Sequence, residues 1–253
     1  MEVVLESIGY VDKNKKSYLD DINLKFSAGH VYGIIGNSGS GKSYLGKLLA
    51  LKEKQTCGEI SYDDITIRPY SKKAIKDPIC TNIGYVPENT KLLFKQETVY
   101  DELKHQMEVY HYQIEKVEKR IADVLKMVGL KKEKLSQDPK LLSTGEQRKL
   151  AIALALIHNP KILILDEPIL GFDPFEQKRL LYIIHMLKSR YQKTIVLITN
   201  NLEFLIQAVD EIAVLNCGKL VAFDKKYIIL KEARKLKKLG MEVPTTIYFS
   251  DFV

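Results

Sequence analysis

The chain has 253 residues and a formal net charge of +7, from 39 lysines and arginines against 32 aspartates and glutamates. That length allows one large domain or a core with a subdomain, and no apolar run approaches the ~18 residues of a membrane span. The three cysteines, Cys57, Cys80 and Cys217, are odd in number and lack metal-ligand spacing. This excludes a disulfide scaffold and a thiolate zinc site, and points to reduced thiols in a cytosol. The start, Met1-Glu2-Val3, has no basic region followed by an apolar one, so no secretory signal is expected. The lysines are dispersed, which reads as a solvated surface and not as a nucleic-acid stripe. The exception is Lys231 to Lys238, which predicts a basic amphipathic helix with Leu230, Ala233 and Leu236 on one side.

Residues 1–27 alternate as antiparallel strands do, with Ile22, Leu24 and Phe26 facing one way and Asn23 and Lys25 the other. Val31-Tyr32-Gly33-Ile34-Ile35 suits a buried strand. It runs into Gly36-Asn37-Ser38-Gly39-Ser40-Gly41-Lys42-Ser43, which reads G-x-x-x-x-G-K-[ST]. Leu45, Leu48 and Leu49 then fall at i, i+3, i+4 and predict a short helix. Strand, glycine-rich turn and helix together predict a phosphate-binding loop. The glycines let the backbone N–H groups turn inward, and the helix start adds unpaired donors and its positive dipole end. Lys42 is expected at the β- and γ-phosphates and the Ser43 hydroxyl on Mg²⁺, and Tyr44 completes the nucleotide-contact run.

Further on, Gly58 to Tyr62 and Ile65 to Ile67 flank Asp63-Asp64 as a hairpin, and a strand from Ile83 to Val86 ends at Pro87. From Glu97 to about Asn159 glycine is sparse and charge dense. Val117, Ile121, Val124, Leu125 and Val128 keep helical spacing up to Gly129, a C-cap. Strands return at Ile162 to Leu165, Ile195 to Ile198, Ile212 to Leu215 and Leu220 to Phe223, with a helix carrying Leu180, Leu181, Ile184 and Leu187 among them. The pattern predicts an α/β fold with a mostly parallel sheet and ligand at the carboxyl ends of its strands. Residues 1–87 and 160–253 are expected to form a nucleotide-binding core with an antiparallel β subdomain and a C-terminal segment, and 88–159 a helical subdomain.

The apolar strand before Asp166 and Glu167 ends in two acids. Asp166 at the tip suits a Mg²⁺ ligand beside Ser43, and Glu167 suits the general base for water. Leu142-Ser143-Thr144-Gly145-Glu146 opens a helix. By itself it reads as an N-cap with Glu146 closing a capping box, or as a second anion site.

The order of phosphate loop, Leu-Ser-x-Gly, apolar strand with Asp-Glu, then Gly171-Phe172-Asp173-Pro174 resembles the ATP-binding subunits of ABC transporters over nearly the whole chain. The resemblance implies a RecA-like P-loop core, ATP and Mg²⁺ as ligands, and head-to-tail dimers sandwiching two ATP molecules. Ser143, Thr144 and Gly145 would then face the γ-phosphate on the partner's loop, and Asp173 would lie at the dimer seam. Glu97-Thr98-Val99-Tyr100-Asp101, Ile83-Gly84-Tyr85-Val86 and Leu239-Gly240-Met241-Glu242-Val243-Pro244 are similar to stretches of energy-coupling-factor (ECF) vitamin importers. That likeness implies an ATPase peripheral on the cytoplasmic face of the membrane. Its partners would be a second ATPase, a transmembrane coupling subunit and a substrate-binding membrane subunit, with no nucleic acid.

Several positions depart from the family pattern. Glu88 stands where the family has glutamine, as a possible ligand of the cation or part of the catalytic set. Asn200 stands for the switch histidine, and a carboxamide can hydrogen-bond but not change protonation. Thr144 replaces a signature glycine and Glu146 a glutamine. The adenine-stacking aromatic aligns with Asp12, leaving Tyr10 as the candidate and Tyr18 as another. Three readings stay open: an ECF-type ATPase, a weakened half of a heterodimer (which the departures favour over a homodimer), or a soluble ABC protein acting on nucleic acid or ribosomes. The transported substrate is not written in this chain.

Overall fold

The computed structural model describes residues 1–110 and 117–244. Parts of the predicted helical stretch (111–116) and of the C-terminal segment (245–253) lie outside the described residues. The first sheet is antiparallel, built from β1 (Val3–Val11), β2 (Ser17–Phe26), β4 (Cys57–Tyr62) and β5 (Ile65–Ile67) in the order β2-β1-β4-β5. Its period-2 pattern decides which face is buried: Ile22, Leu24 and Phe26 are buried, while Asn23 and Lys25 are exposed. Asp63-Asp64 makes the predicted two-residue hairpin turn, with Tyr62 paired to Ile65.

The second sheet contains β3 (Val31–Gly36), β6 (Ile83–Val86), β7 (Ile162–Asp166), β8 (Thr194–Ile198), β9 (Glu211–Asn216) and β10 (Lys219–Lys225), in the order β10-β9-β3-β8-β7-β6. All are parallel except β10, which returns along β9 through Cys217-Gly218. Strands buried on both faces need apolar side chains throughout, which is why β3, β7 and β8 read as unbroken apolar runs. Alternation still sorts them. Val31, Ile35, Leu163 and Leu165 join one core cluster, and Tyr32, Ile34, Ile162 and Ile164 the other.

The first cluster is closed by α3 (Val99–Val109), α4 (Val117–Val128), α5 (Thr144–Ile157), α6 (Pro174–Ser189) and α7 (Leu202–Ala208). The second is closed by α1 (Lys42–Leu49) and the antiparallel sheet. Leu45, Leu48 and Leu49 of α1 are fully buried, each contributing roughly 1.5–3 kcal/mol by burial, and this pins the helix that carries the phosphate loop. α4 ends at Gly129, whose N–H donates to Leu125 O, as its spacing predicts. Between β6 and β7 the described residues form helices and no strand.

Two helices escape the sequence reading. α2 (Lys73–Cys80) holds Pro78 inside it, and α7 spans only seven residues. The single basic helix predicted for Lys231 to Lys238 is instead two short ones, α8 (Lys226–Lys231) and α9 (Ala233–Lys238). Glu232 divides them at φ −90°, ψ 29°, with its N–H on Ile229 O and its carboxylate on Lys235. The amphipathic expectation survives the break, since Ala233 and Leu236 are buried.

Candidate nucleotide site at the carboxyl edge of the sheet

Four parallel strands deliver their ends to one edge: β3 the phosphate loop, β6 Glu88, β7 Asp166 and Glu167, β8 Thr199 and Asn200. This is the edge where α/β sheets bind ligands. A cleft of about 270 Å³ lies there, lined by Tyr18, residues 38–44, Glu88, Asp166, Glu167 and Asn200.

Gly41 caps α1 at φ +98°, and a Cβ there would stand 2.5 Å from Tyr18 O, so the tight loop tolerates no side chain at that position. Lys42 is only 8% exposed. Its Nζ donates to Gly36 O at 2.6 Å and to Asn37 O at 2.9 Å. Burial pulls its ammonium below the usual lysine range, against the opposing pull of Glu167, Asp166 and Glu88. The amine is thus held on loop carbonyls that phosphate oxygens can replace as acceptors.

Alternation along β7 separates the two acids. Asp166 has the parity of Ile162 and Ile164, whose side chains pack on the α1 face, so it faces Ser43. It is 2% exposed, and its Oδ1 has no hydrogen-bond partner. Burial pushes its carboxyl up to about 6, with Glu88 and Glu167 adding and Ser43 and Lys42 opposing. A desolvated, orphaned carboxylate oxygen beside a hydroxyl fits a divalent cation. Among the described residues no cluster of three or more His, Cys, Asp or Glu could hold a metal alone. The donor set fits Mg²⁺ completed by phosphate oxygens and water.

Glu167 turns away from the strand at φ +47°, a left-handed backbone costing on the order of 1–3 kcal/mol that proteins tend to keep at functional sites. Its N–H stays on Ile198 O at 2.8 Å. Its carboxylate accepts from Thr199 Oγ1 at 2.9 Å and from Asn200 N at 3.1 Å. In the sequence Thr199 is only the threonine that precedes Asn200, with no role of its own, and β7–β8 pairing is what brings it to Glu167. Arg148 is not among the predicted site residues. Its guanidinium, from α5, donates to Pro87 O and Glu88 O behind the cleft.

Tyr18 and Tyr44 line the cleft with ring centroids 4.2 Å apart, and Tyr10 stacks on Tyr44 at 4.9 Å. Asp12, at the position of the family's aromatic, accepts from Asn14 N and Lys16 N instead and serves as a turn residue. Gly36, Asn37, Ser38 and Asn200 also line an adjoining cavity of about 300 Å³ closed by Gly240, Met241 and Glu242. There Asn37 Nδ2 donates to Leu239 O.

The remaining predicted residues stand apart from this cleft. Ser143 caps α5 in a full capping box: its Oγ accepts from Glu146 N at 3.3 Å and its N–H donates to Glu146 Oε2 at 3.0 Å. Thr144 is exposed and Gly145 half-buried. The pair packs on Gly171, where a Cβ would meet Thr144 Cγ2 at 3.0 Å, and Asp173 caps α6. Cleft and signature are therefore two separate surfaces of one chain.

The sequence model of the ABC transporter family matches residues 19–170, from the second strand through both acids. The chain belongs to the ABC transporter family. A model of IstB-like ATP binding proteins matches 135–208, which includes the same acidic strand. Among curated relatives, the energy-coupling factor transporter ATP-binding protein EcfA2 of Caldanaerobacter subterraneus subsp. tengcongensis is 32% identical, over 96% of this chain and 86% of that protein. A putative ABC transporter ATP-binding protein of Pyrococcus abyssi is 31% identical, over 97% and 88%. A solved dimer of a bacterial ABC transporter cassette superposes with a TM-score of 0.81 at 26% identity, covering 88% of this chain and 98% of that one. The fold also matches cbiO1 from Clostridium perfringens, part of the ABC transporter complex cbiONQ, with a TM-score of 0.77 at 24% identity over 99% and 98%. This ABC chain is an ATP-binding, ATP-hydrolysing subunit of the transporter type, built on the RecA-like P-loop core. Among its described residues no helix is long and apolar enough to cross a membrane.

Proposed function

We propose that this ABC ATPase drives an ECF-type importer of a vitamin or other micronutrient, coupled to a transmembrane subunit and a separate substrate-binding membrane protein. The observation that carries the reading is the segment after α9. Proteins named EcfA2 match this chain over 96–98% of its length at 27–32% identity. The Leu239-Gly240-Met241 stretch is seated directly on Asn37 of the phosphate loop.

In this reading the loop amides and Lys42 hold the phosphates, and Ser43 and Asp166 hold Mg²⁺, which neutralises phosphate charge when bound. Glu167, steadied by Thr199 and the Asn200 amide, takes the proton of the attacking water. Tyr18 and Tyr44 offer rings for the base. Ser143 to Gly145 serve the site of a partner ATPase across a head-to-tail dimer with Asp173 at its seam, because they lie outside the wall of the chain's own cleft. The test is purification from membranes in mild detergent, with identification of the chains that accompany it. Co-purifying membrane subunits and ATPase activity in the assembly support the reading. A chain that comes without membrane partners and binds nucleic acid in a salt-dependent way refutes it.

A second reading, a slower site paired with a more typical ATPase, is favoured by Asn200. Its hydrogen bond to Glu167 comes from the backbone amide, so the base keeps that support whatever the side chain. What the carboxamide does not supply is the ionisable ring at the γ-phosphate.

A further inference from the structure

Arg148 sits near the start of α5 and is 2% exposed. Its guanidinium stays charged in a protein, so burial is costly unless its donors are used; both Nη atoms are, while Nε has no hydrogen-bond partner. Nη1 donates to Pro87 O at 2.8 Å and more weakly to Asp166 O at 3.4 Å, and Nη2 donates to Glu88 O at 2.6 Å. These acceptors lie on two pieces of chain about eighty residues apart in sequence. One is the turn leaving β6, which carries Glu88 into the cleft. The other is the last residue of β7, which carries Asp166. Among the described residues, the side chain that spans these three carbonyls comes from the helix whose first turn is the signature, Thr144-Gly145.

A structural arginine would be expected to fill space or satisfy one stretch of backbone. This one reaches the main chain behind two acids of the site. Its charge also faces all three carboxylates, Asp166, Glu88 and Glu167. We propose that Arg148 is a positioning residue for ATP hydrolysis, fixing the Glu88 turn against the end of β7 and tying both to the signature helix. The proposal rests on the reading of the cleft as the ATP site. It implies that displacement of α5 when the signature engages a partner's nucleotide moves Glu88 relative to Asp166 in this chain's own site.

The test compares Arg148→Gln and Arg148→Lys in the assembled complex. Three quantities are measured: hydrolysis over a range of Mg-ATP, affinity for a fluorescent ATP analogue in EDTA, and nucleotide-free thermal unfolding. Arg148→Gln is expected to lower kcat by about ten- to a hundredfold, the usual loss when a residue orienting the groups around a cation site is removed. Affinity in EDTA should stay near the parent value, since the loop and Lys42 are untouched. Lysine presents a single nitrogen and cannot span the same carbonyls, so Arg148→Lys should fall between. In a Glu88→Gln background the further loss from Arg148→Gln should shrink, because two groups acting as a unit are not additive.

Parent kcat in Arg148→Gln overturns the proposal. So does a parallel fall of affinity, kcat and melting temperature, which marks a merely structural arginine, and so does a full multiplicative loss in the double variant. If Arg148→Gln does not fold, Arg148→Lys decides: reduced kcat at unchanged affinity supports positioning, and parent kcat refutes it. Glu167→Gln is the control for the site itself. A parent rate that Glu167→Gln leaves intact refutes the ATP-site reading, and this proposal with it.

Discussion

Thr199→Val removes one hydroxyl from a fully buried position while keeping nearly the same shape. That hydroxyl donates to Glu167 Oε2 at 2.9 Å and accepts from Asn201 N at 3.1 Å. A hydrogen bond to a charged group contributes about 1.5–3 kcal/mol, and each 1.36 kcal/mol is tenfold in rate. If the bond serves to aim the carboxylate at water, kcat should fall by about ten- to a hundredfold. The Asn200 N–H remains on Oε1, which favours the lower end. Asn201 caps α7 and is exposed, so losing the acceptor of its N–H should also cost roughly 0.5–1.5 kcal/mol of stability. The assay must separate the two effects. ATP hydrolysis at saturating Mg-ATP reads the first, thermal unfolding the second, and affinity for a fluorescent ATP analogue should not change. Thr199→Ser, which keeps the donor, should recover most of the rate. A Thr199→Val protein that is destabilised as expected yet turns over at the parent rate would refute the idea that this bond orients the base.

Asp166 binds its proton more tightly in the folded chain than in the unfolded one, so by itself it makes nucleotide-free stability fall as pH rises from about 4 to about 6. Asp166→Asn should therefore raise the nucleotide-free melting temperature at pH 8 by a few degrees and abolish the tightening of ATP by Mg²⁺, both read by thermal shift; a lower melting temperature would contradict it. Ser143→Arg should leave nucleotide binding by the isolated chain intact and suppress hydrolysis at the facing site of a dimer; lost binding in the isolated chain would sink the composite arrangement. Asn200→His should raise turnover in the assembled complex, the lost donor being worth up to about 10²–10³ at similar sites. An unchanged rate with robust parent hydrolysis would show the asparagine to be a tolerated variation.

The sheet and the phosphate loop were legible because they rest on local signals. The apolar runs of β3, β7 and β8 need burial on both faces, and the glycine spacing before Lys42 encodes the loop without reference to anything distant. What could not be read depended on contacts across the chain. Thr199 acquires its role only when β8 pairs with β7, and Arg148 only when α5 lies behind the turn after β6. Pro78 hid α2, since proline argues against a helix interior until its neighbours are known. The aromatic wall depends on such contacts too. Tyr10 and Tyr18 sit on paired strands, and only the pairing brings Tyr18 to the cleft while Tyr10 stacks on Tyr44.

The placement of β3 also constrains how the chain can be made. The phosphate-loop strand, residues 31–36, is flanked by β8 and β9, which are translated more than 150 residues later. The antiparallel sheet of β1, β2, β4 and β5 has all its strands by Ile67 and can pair while synthesis continues. The loop that follows β3 leaves the ribosome early yet has no completed floor until about Asn216 has emerged. Nascent chains arrested before that point should not retain nucleotide, so ATP can act as a late ligand of folding that favours only the finished product.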